Sequence, residues 1–327
     1  MYAKIRWGIL GTGNIAHQFA TGLRSVPDAQ LIAVGSRAQA TADAFGDEFG
    51  IPHRHPTYEA LAADAEVDAV YISTPHTFHK ANTLLCLGAG KAVLCEKPFA
   101  INAQEAAEMI REARARRLFL MEAMWTRFFP IMRRARALLA QGEIGEPRML
   151  TADFGYRTEY HPSHRLFDPM LGGGALLDVG IYPLALASMI FGKPEHVASS
   201  ADLGKTGVDE QSAYLLRYKD GQLALLSSAS RTETPQEAVI NGTHGRITIH
   251  RRWWKPSRMT VHVHGQSEKV IDLPYDGNGY NYEAMAVGEC LRAGTLEHEI
   301  MPLDESLAIM ETMDTIRAQW GLKYPTE

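Results

Sequence analysis

Short apolar runs alternate with helical periodicities through the first third of the chain. Residues 5–10 (Ile5-Arg6-Trp7-Gly8-Ile9-Leu10) read as a strand, and Ile15, Phe19, Leu23 and Val26 then recur at helical spacing. Residues 31–34 predict a second strand and 38–49 a helix. Strands at 69–73 and 92–95 bracket a helix over 77–87. Asn102 with Glu105 three positions on marks a further helix start, and 118–121 closes the series with another strand. Strands alternating with helices build βαβ units and a parallel sheet.

The pattern then changes. A helix runs over 129–139 and ends near Gly142. From Arg148 onward apolar positions mostly alternate with polar ones, and turn dipeptides separate them. Asp220-Gly221 joins 213–218 to 223–228. Asn241-Gly242 and His244-Gly245 precede 246–250, and 259–264 and 269–273 flank Gly265. These predict antiparallel hairpins. Helices are expected at 175–190 and 282–291, with a last one over 304–320 stopped by Gly321. The expected fold class is therefore α/β: an N-terminal domain with a parallel sheet, then a C-terminal α+β domain with an open, mainly antiparallel sheet. The chain's 327 residues exceed one ordinary core, and the expected domains are 1–122 and 123–327, with the last helix packing back on the first.

A net charge of −5 gives no global attraction to nucleic acid or an anionic membrane, and neither is expected as a partner. By sequence, no apolar run approaches the ~18 residues of a membrane-crossing helix, and the N-terminal stretch reads as a strand rather than a signal peptide. Three cysteines, Cys86, Cys95 and Cys290, are odd in number and widely spaced, which fits neither a disulfide framework nor a metal knuckle. The expected location is the reducing cytoplasm.

Candidate chemistry begins at Gly11-Thr12-Gly13-Asn14-Ile15-Ala16, which fits G-x-G-x-x-A between a strand and a helix. Gly11 permits the tight turn, Gly13 lets backbone approach a pyrophosphate, and Ala16 allows close helix–sheet packing. The helix start offers N–H groups and a positive dipole end to phosphates. This is the dinucleotide-binding pattern of a Rossmann domain. An NAD site usually carries an acid at the end of the second strand, but Gly35-Ser36-Arg37 stands there. Ser36 and Arg37 can accept a 2′-phosphate, so NADP is the expected cofactor, with NAD possible. The alternative for Arg37 is a solvated loop arginine.

Cys95-Glu96-Lys97-Pro98 follows a strand at the sheet edge where open α/β folds bind ligands, so Lys97 is a candidate cleft lysine. Later, Gly172-Gly173-Gly174 feeds a helix start, and Asp178 and Tyr182 lie four apart on one helix face. An acid and a phenol so spaced can stand beside a reacting hydroxyl; otherwise they cap a turn and pack in the core.

Taken together, the glycine-rich turn, Thr74-Pro75-His76 with His79, Glu96-Lys97-Pro98 and the GGG…DVGIY run resemble the glucose–fructose oxidoreductase/inositol dehydrogenase/MocA (Gfo/Idh/MocA) oxidoreductases over almost the whole chain. The stretch from Met121 to Pro130 and Tyr182 are similar to the dimeric dihydrodiol dehydrogenase and NADP-dependent D-xylose dehydrogenase branch. Many relatives carry His at the position of Tyr182 and Asn at that of His76. The resemblance implies that Lys97, Asp178 and Tyr182 surround the reacting carbon and nicotinamide. It implies cofactor contacts from Tyr71, Thr74, His76, His79 and Glu96, and a homodimer formed through the exposed face of the C-terminal sheet.

Two H-x-x-H pairs, His76/His79 and His161/His164, lack a third ligand at motif spacing, so no metal is expected. His53, His55, His262 and His264 alternate as surface strand residues do. Trp125, Phe154, Tyr156, Trp253 and Trp254 are candidates for a substrate wall or for core. Arg165 and Asp168 either bond substrate hydroxyls or pair with each other. The expected activity is NADP-dependent hydride transfer to or from a cyclic polyol, sugar or trans-dihydrodiol. Tyr182 is the expected base, Lys97 the group that lowers its pKa and holds the nicotinamide ribose, and Asp178 the substrate-orienting acid. Two alternatives are a non-catalytic dinucleotide-binding regulator and an oxidoreductase that retains its nucleotide.

Overall fold

The structure is a computed structural model and describes residues 4–327. The chain forms two compact units. Unit 1 comprises residues up to Ala100, Gln104–Trp125 and Asp276–Ser306; unit 2 comprises Ile101–Ala103, Thr126–Tyr275 and Leu307–Glu327. The linear boundary thus falls after Trp125, but unit 1 also takes in the later segment 276–306. The bulk of the final helix, from Leu307 on, belongs to unit 2. Reading domains as continuous blocks cannot show such an exchange.

In unit 1 the order is β1 (Ile5–Leu10), α1 (Asn14–Leu23), β2 (Ala29–Gly35), α2 (Gln39–Phe49), β3 (His53–His55), α3 (Tyr58–Ala62), β4 (Ala69–Ile72), α4 (His79–Gly88), β5 (Ala92–Glu96), α5 (Ala103–Arg116) and β6 (Leu120–Ala123). The sheet order is β3-β2-β1-β4-β5-β6, and every pairing is parallel. β4, β5 and β6 are buried along their whole length, because a parallel sheet has helices on both faces. Apolar runs without alternation are the sequence trace of that burial.

Unit 2 contains α6 (Pro130–Ala140), β7 (Pro147–Gly155), a π-turn over Leu176–Gly180, α7 (Ile181–Phe191), β8 (His196–Leu203), β9 (Asp209–Arg217), β10 (Leu223–Ala229), β11 (Ala238–Gly242), β12 (Gly245–Ile249), β13 (Arg258–Val263) and β14 (Lys269–Asp272). α8 (Tyr280–Ala293) follows in unit 1, and α9 (Leu303–Trp320) ends the chain's regular structure. The eight strands run β14-β13-β12-β11-β7-β10-β9-β8. The expected hairpins are antiparallel, but β7 and β10 pair parallel, Leu223 opposite Met149 through Ala229 opposite Gly155. A long crossover carrying the π-turn, α7, β8 and β9 makes that pairing possible.

α7 and the π-turn pack on one face of β7 and β10. Pro169–Phe191, contrary to the sequence expectation, is long and apolar enough to pass for a membrane-crossing helix. Its apolar window is 78% buried within the protein, which accounts for the composition. The other sheet face is uncovered: Leu215 and Leu225, opposite each other in register, are 46% and 44% exposed.

Candidate active site

Unit 1 supplies a dinucleotide cradle. The turn between β1 and α1 places Gly11 at φ +104, a conformation that favours glycine, and a Cβ there would lie 2.9 Å from Ser73 Oγ. A Cβ on Gly13 would meet nothing within 4 Å, so that backbone faces open space. No side chain caps the N-terminus of α1. The first-turn N–H groups at Asn14 and Ile15 are therefore presented to a ligand, with Thr12 half-buried beside them.

At the end of β2, Ser36 is buried and fixed: its N–H donates to the His55 carbonyl (3.1 Å), and its hydroxyl lies 2.5 Å from Thr41 Oγ1. Arg37 is exposed and has no ion-pair partner among the described residues. The residues therefore fit a nucleotide bearing a 2′-phosphate, with Arg37 as the cation and Ser36 as a fixed neighbour. Ser73, which sequence reasoning missed, donates to the Leu10 carbonyl (2.9 Å) and sits under Gly11; its place one residue past β4 was the available signal.

Several residues expected at the cofactor are held by internal hydrogen bonds. Tyr71 is 0% exposed, stacks on Phe19 with ring centres 3.7 Å apart, and donates its hydroxyl to Glu96 Oε1. Burial and the neighbouring Glu96 charge push this phenol well above its usual pKa. His79 is also 0% exposed; its two ring nitrogens bond the carbonyls of Pro98 (2.8 Å) and Thr74 (2.9 Å). Thr74 Oγ1 accepts from Asn82 (3.0 Å). Glu96, 4% exposed, also accepts from the Lys97 N–H (3.1 Å). Tyr71, Glu96 and His79 thus fix the backbone on both sides of Lys97. Lys97, whose peptide bond to Pro98 is cis, is half-buried, and His76 is 8% exposed with its ring against His79. Glu283 of α8, missed in the sequence, is fully buried near Glu96 with neither carboxyl oxygen hydrogen-bonded. Burial and then the Glu96 charge raise its pKa well above the carboxylate range. Trp125 belongs to unit 1, where it stacks on Tyr280 at 4.6 Å.

Unit 2 supplies an acid, two phenols and an aromatic wall. Asp178, on the π-turn, is 5% exposed; Arg165 Nη1 donates to one oxygen (3.0 Å) and the Tyr156 hydroxyl to the other (2.8 Å). The Arg165–Asp168 pairing, one of the two alternatives, does not form. Asp168 instead caps the turn at Met170 (2.8 Å). Tyr156 follows Phe154 at strand spacing, so the alternation along β7 was the signal for their shared face. Burial and the Asp178 charge raise the Tyr156 pKa, so it stays a donor. Tyr182, at the start of α7, is 7% exposed, with its ring 5.3 Å from Phe154. Phe154 in turn stacks on Trp254 at 3.5 Å. Trp253 is core, donating to the Asp153 carbonyl (2.7 Å).

The histidines are placed by hydrogen bonding. His161 and His164 hold local turns through Ser163 and Leu166. His53 and His55, half-buried on β3 rather than at the surface, both reach Asp64 Oδ2, at 2.7 and 2.9 Å. Those are hydrogen-bond lengths, shorter than the ~3.3 Å between ligands of a tetrahedral zinc with 2.0–2.1 Å bonds. Burial opposes ionisation of Asp64, but the Glu66 N–H and the two imidazoles outweigh it and bring its pKa to about 2.

Residues 5–124 match the oxidoreductase family with an NAD-binding Rossmann fold, and 132–248 match the GFO/IDH/MocA C-terminal domain. The trans-1,2-dihydrobenzene-1,2-diol dehydrogenases of Mus musculus and Homo sapiens are 40% and 39% identical to this chain, and each match covers 99% of both chains. Among solved structures, an aldose-aldose oxidoreductase from Caulobacter crescentus complexed with glycerol superposes with a TM-score of 0.88 at 26% identity, covering 98% of each chain. A 3-ketoreductase from Actinomadura kijaniata, in complex with NADP and TDP-benzene, superposes at 0.86 and 26% identity, covering 96% of this chain and 97% of that one. The chain therefore belongs to the Gfo/Idh/MocA oxidoreductases, and it is an NAD(P)-dependent dehydrogenase or reductase acting on CH–OH groups.

Proposed function

We propose that the protein is an NADP-dependent dehydrogenase of a cyclic, polyhydroxylated substrate: a sugar, a polyol or a trans-dihydrodiol. The observation that carries this reading is the open Gly13 turn at an uncapped helix start, with Arg37 standing where an NAD site would carry an acid. The substrate class draws support from the names of the relatives and from the wall formed by Phe154 beside Tyr182.

The nicotinamide, when bound, supplies the hydride acceptor or donor. The chain does the rest. Backbone N–H groups at residues 13–15 hold the pyrophosphate, and Arg37 holds the 2′-phosphate. Lys97, kept in place by Glu96, bonds the ribose and adds positive potential. Tyr182 takes the hydroxyl proton on oxidation and returns it on reduction. Asp178 acts through Arg165 and Tyr156, since both its oxygens are engaged by them. No step is assigned to a metal.

We further propose a homodimer in which a second copy covers the exposed sheet face, and a cytoplasmic location, which three free, buried cysteines support. NADPH formation across a panel of aldopyranoses, inositols and trans-dihydrodiols tests the reading. We expect turnover with NADP+ on at least one class. Tight NADP binding with no turnover of any class would instead favour the non-catalytic regulator.

A further inference from the structure

Wholly within unit 2 lies an open cleft of about 510 Å³ with Phe154, Tyr156 and Trp254 among its lining residues, and the Phe154 ring stands 5.3 Å from that of Tyr182. Its charge is unlike that of the molecule. Arg157, Arg251, Arg252 and Lys255 line it against a single acid, Glu233, in a chain whose net charge is −5. Glu233 is paired with Arg251, and the Lys255 ammonium stands 5.2 Å over the Tyr275 ring. Arg157 and Arg252 have no carboxylate partner among the described residues.

The rim is held in an unusual backbone. Only three non-glycine residues in the described chain have positive φ, and two of them, Gln236 (+65) and Arg252 (+62), line this cleft. Such a conformation is unfavourable for a side-chain-bearing residue and persists where the surroundings fix it. Here they do. The Gln236 N–H donates to Asp153 Oδ2 (2.7 Å), its side-chain amide donates to the Gly155 carbonyl (2.7 Å), and its own carbonyl accepts from the Trp253 N–H (3.5 Å). Arg252 therefore sits on a braced turn next to the Phe154–Trp254 stack.

We propose that the substrate carries an anionic group, a phosphate ester or a carboxylate, on the part remote from the reacting carbon, and that Arg157 and Arg252 hold it. With the reacting hydroxyl at Tyr182, the body of the ring lies along Phe154 and its far end meets the two arginines. Guanidinium groups without an internal partner are suited to bidentate capture of such an anion. This inference rests on the active-site reading given above.

The test compares NADP-linked kcat/KM for D-glucose, D-glucose 6-phosphate and D-glucuronate. One anionic sugar should exceed glucose by about tenfold or more at low salt, and its advantage should shrink at about 0.3 M salt. Which anionic sugar gains separates phosphate from carboxylate. In the Arg157→Gln/Arg252→Gly double variant, the anionic-to-neutral ratio should fall toward one; glycine at 252 keeps the positive φ without the charge. A ratio near one in the unmodified protein, or a high ratio unchanged in the variant, would overturn the proposal. If no sugar is turned over, the dehydrogenase reading fails for this panel. Calorimetric titration of the NADP-loaded protein with glucose 6-phosphate and with glucuronate then decides the anion site by itself. Binding of either, weakened about tenfold in the variant, supports it; no binding of either, or equal binding by both proteins, refutes it.

Discussion

At the scale of single residues, the proposed site divides into groups assigned to the cofactor or substrate and groups buried behind them. Gly13, Arg37, Lys97 and Tyr182 were legible as candidates because each stands at a motif position whose chemistry requires that residue type. Tyr71, Glu96 and His79 belong to the same motifs, yet the structure turns them inward, where they bond one another and the backbone around Lys97. Sequence proximity could not separate the two kinds, because the side of the strand end on which a side chain points is set by packing. Arg37→Asp should weaken NADP by roughly 10- to 100-fold, the worth of a lost charge-assisted bond of ~1.5–3 kcal/mol, and should improve NAD. Fluorescence titration with both nucleotides checks this, and tighter NAD binding by the unmodified protein would contradict it. Lys97→Met should lower turnover by about 10²–10⁴-fold and weaken NADP as well. Adding Tyr182→Phe to it should cost little more than the worse single change, because both losses fall on one step.

At the scale of elements, the parallel sheet of unit 1 was read almost entirely from its apolar runs. Only the short α3 escaped, too brief to show a period, while β3 showed just in the alternation of His53 and His55. The hairpins of unit 2 followed from their turn dipeptides. The parallel β7–β10 pair did not, since nothing local in either strand records a partner reached through a long crossover. Asp209, which opens β9, anchors the start of the π-turn: it is fully buried and accepts from the Leu176 N–H (2.7 Å). Burial raises its pKa to about 7, against the hydrogen bonds that favour the charge. Protonation is then easier in the folded than in the unfolded chain, where an aspartate titrates near ~3.9. Its contribution is full below that value and is lost as pH rises to about 7. Asp209→Asn should therefore flatten the fall in stability over that interval, as measured by denaturant midpoints at stepped pH. An unchanged slope would show that Asp209 titrates normally.

At the scale of the whole molecule, the exposed face of the eight-stranded sheet bears on assembly. Leu215 and Leu225 present a paired apolar row while α7 covers the opposite face. A row of this kind calls for a partner. Light scattering should give about twice the 36.2 kDa chain mass, and Leu225→Lys should return it to one chain. A single-chain mass for the unmodified protein would refute the dimer. The central claim is a catalytic one: this chain moves a hydride between NADP and a substrate CH–OH group, with Tyr182 handling the proton. Rapid mixing of NADP-loaded protein with its best substrate, following NADPH in a single turnover, tests it most directly. Tyr182→Phe should form NADPH about 10²–10⁴ times more slowly while binding NADP as tightly as the unmodified protein. Equal single-turnover rates in the two proteins would contradict the account.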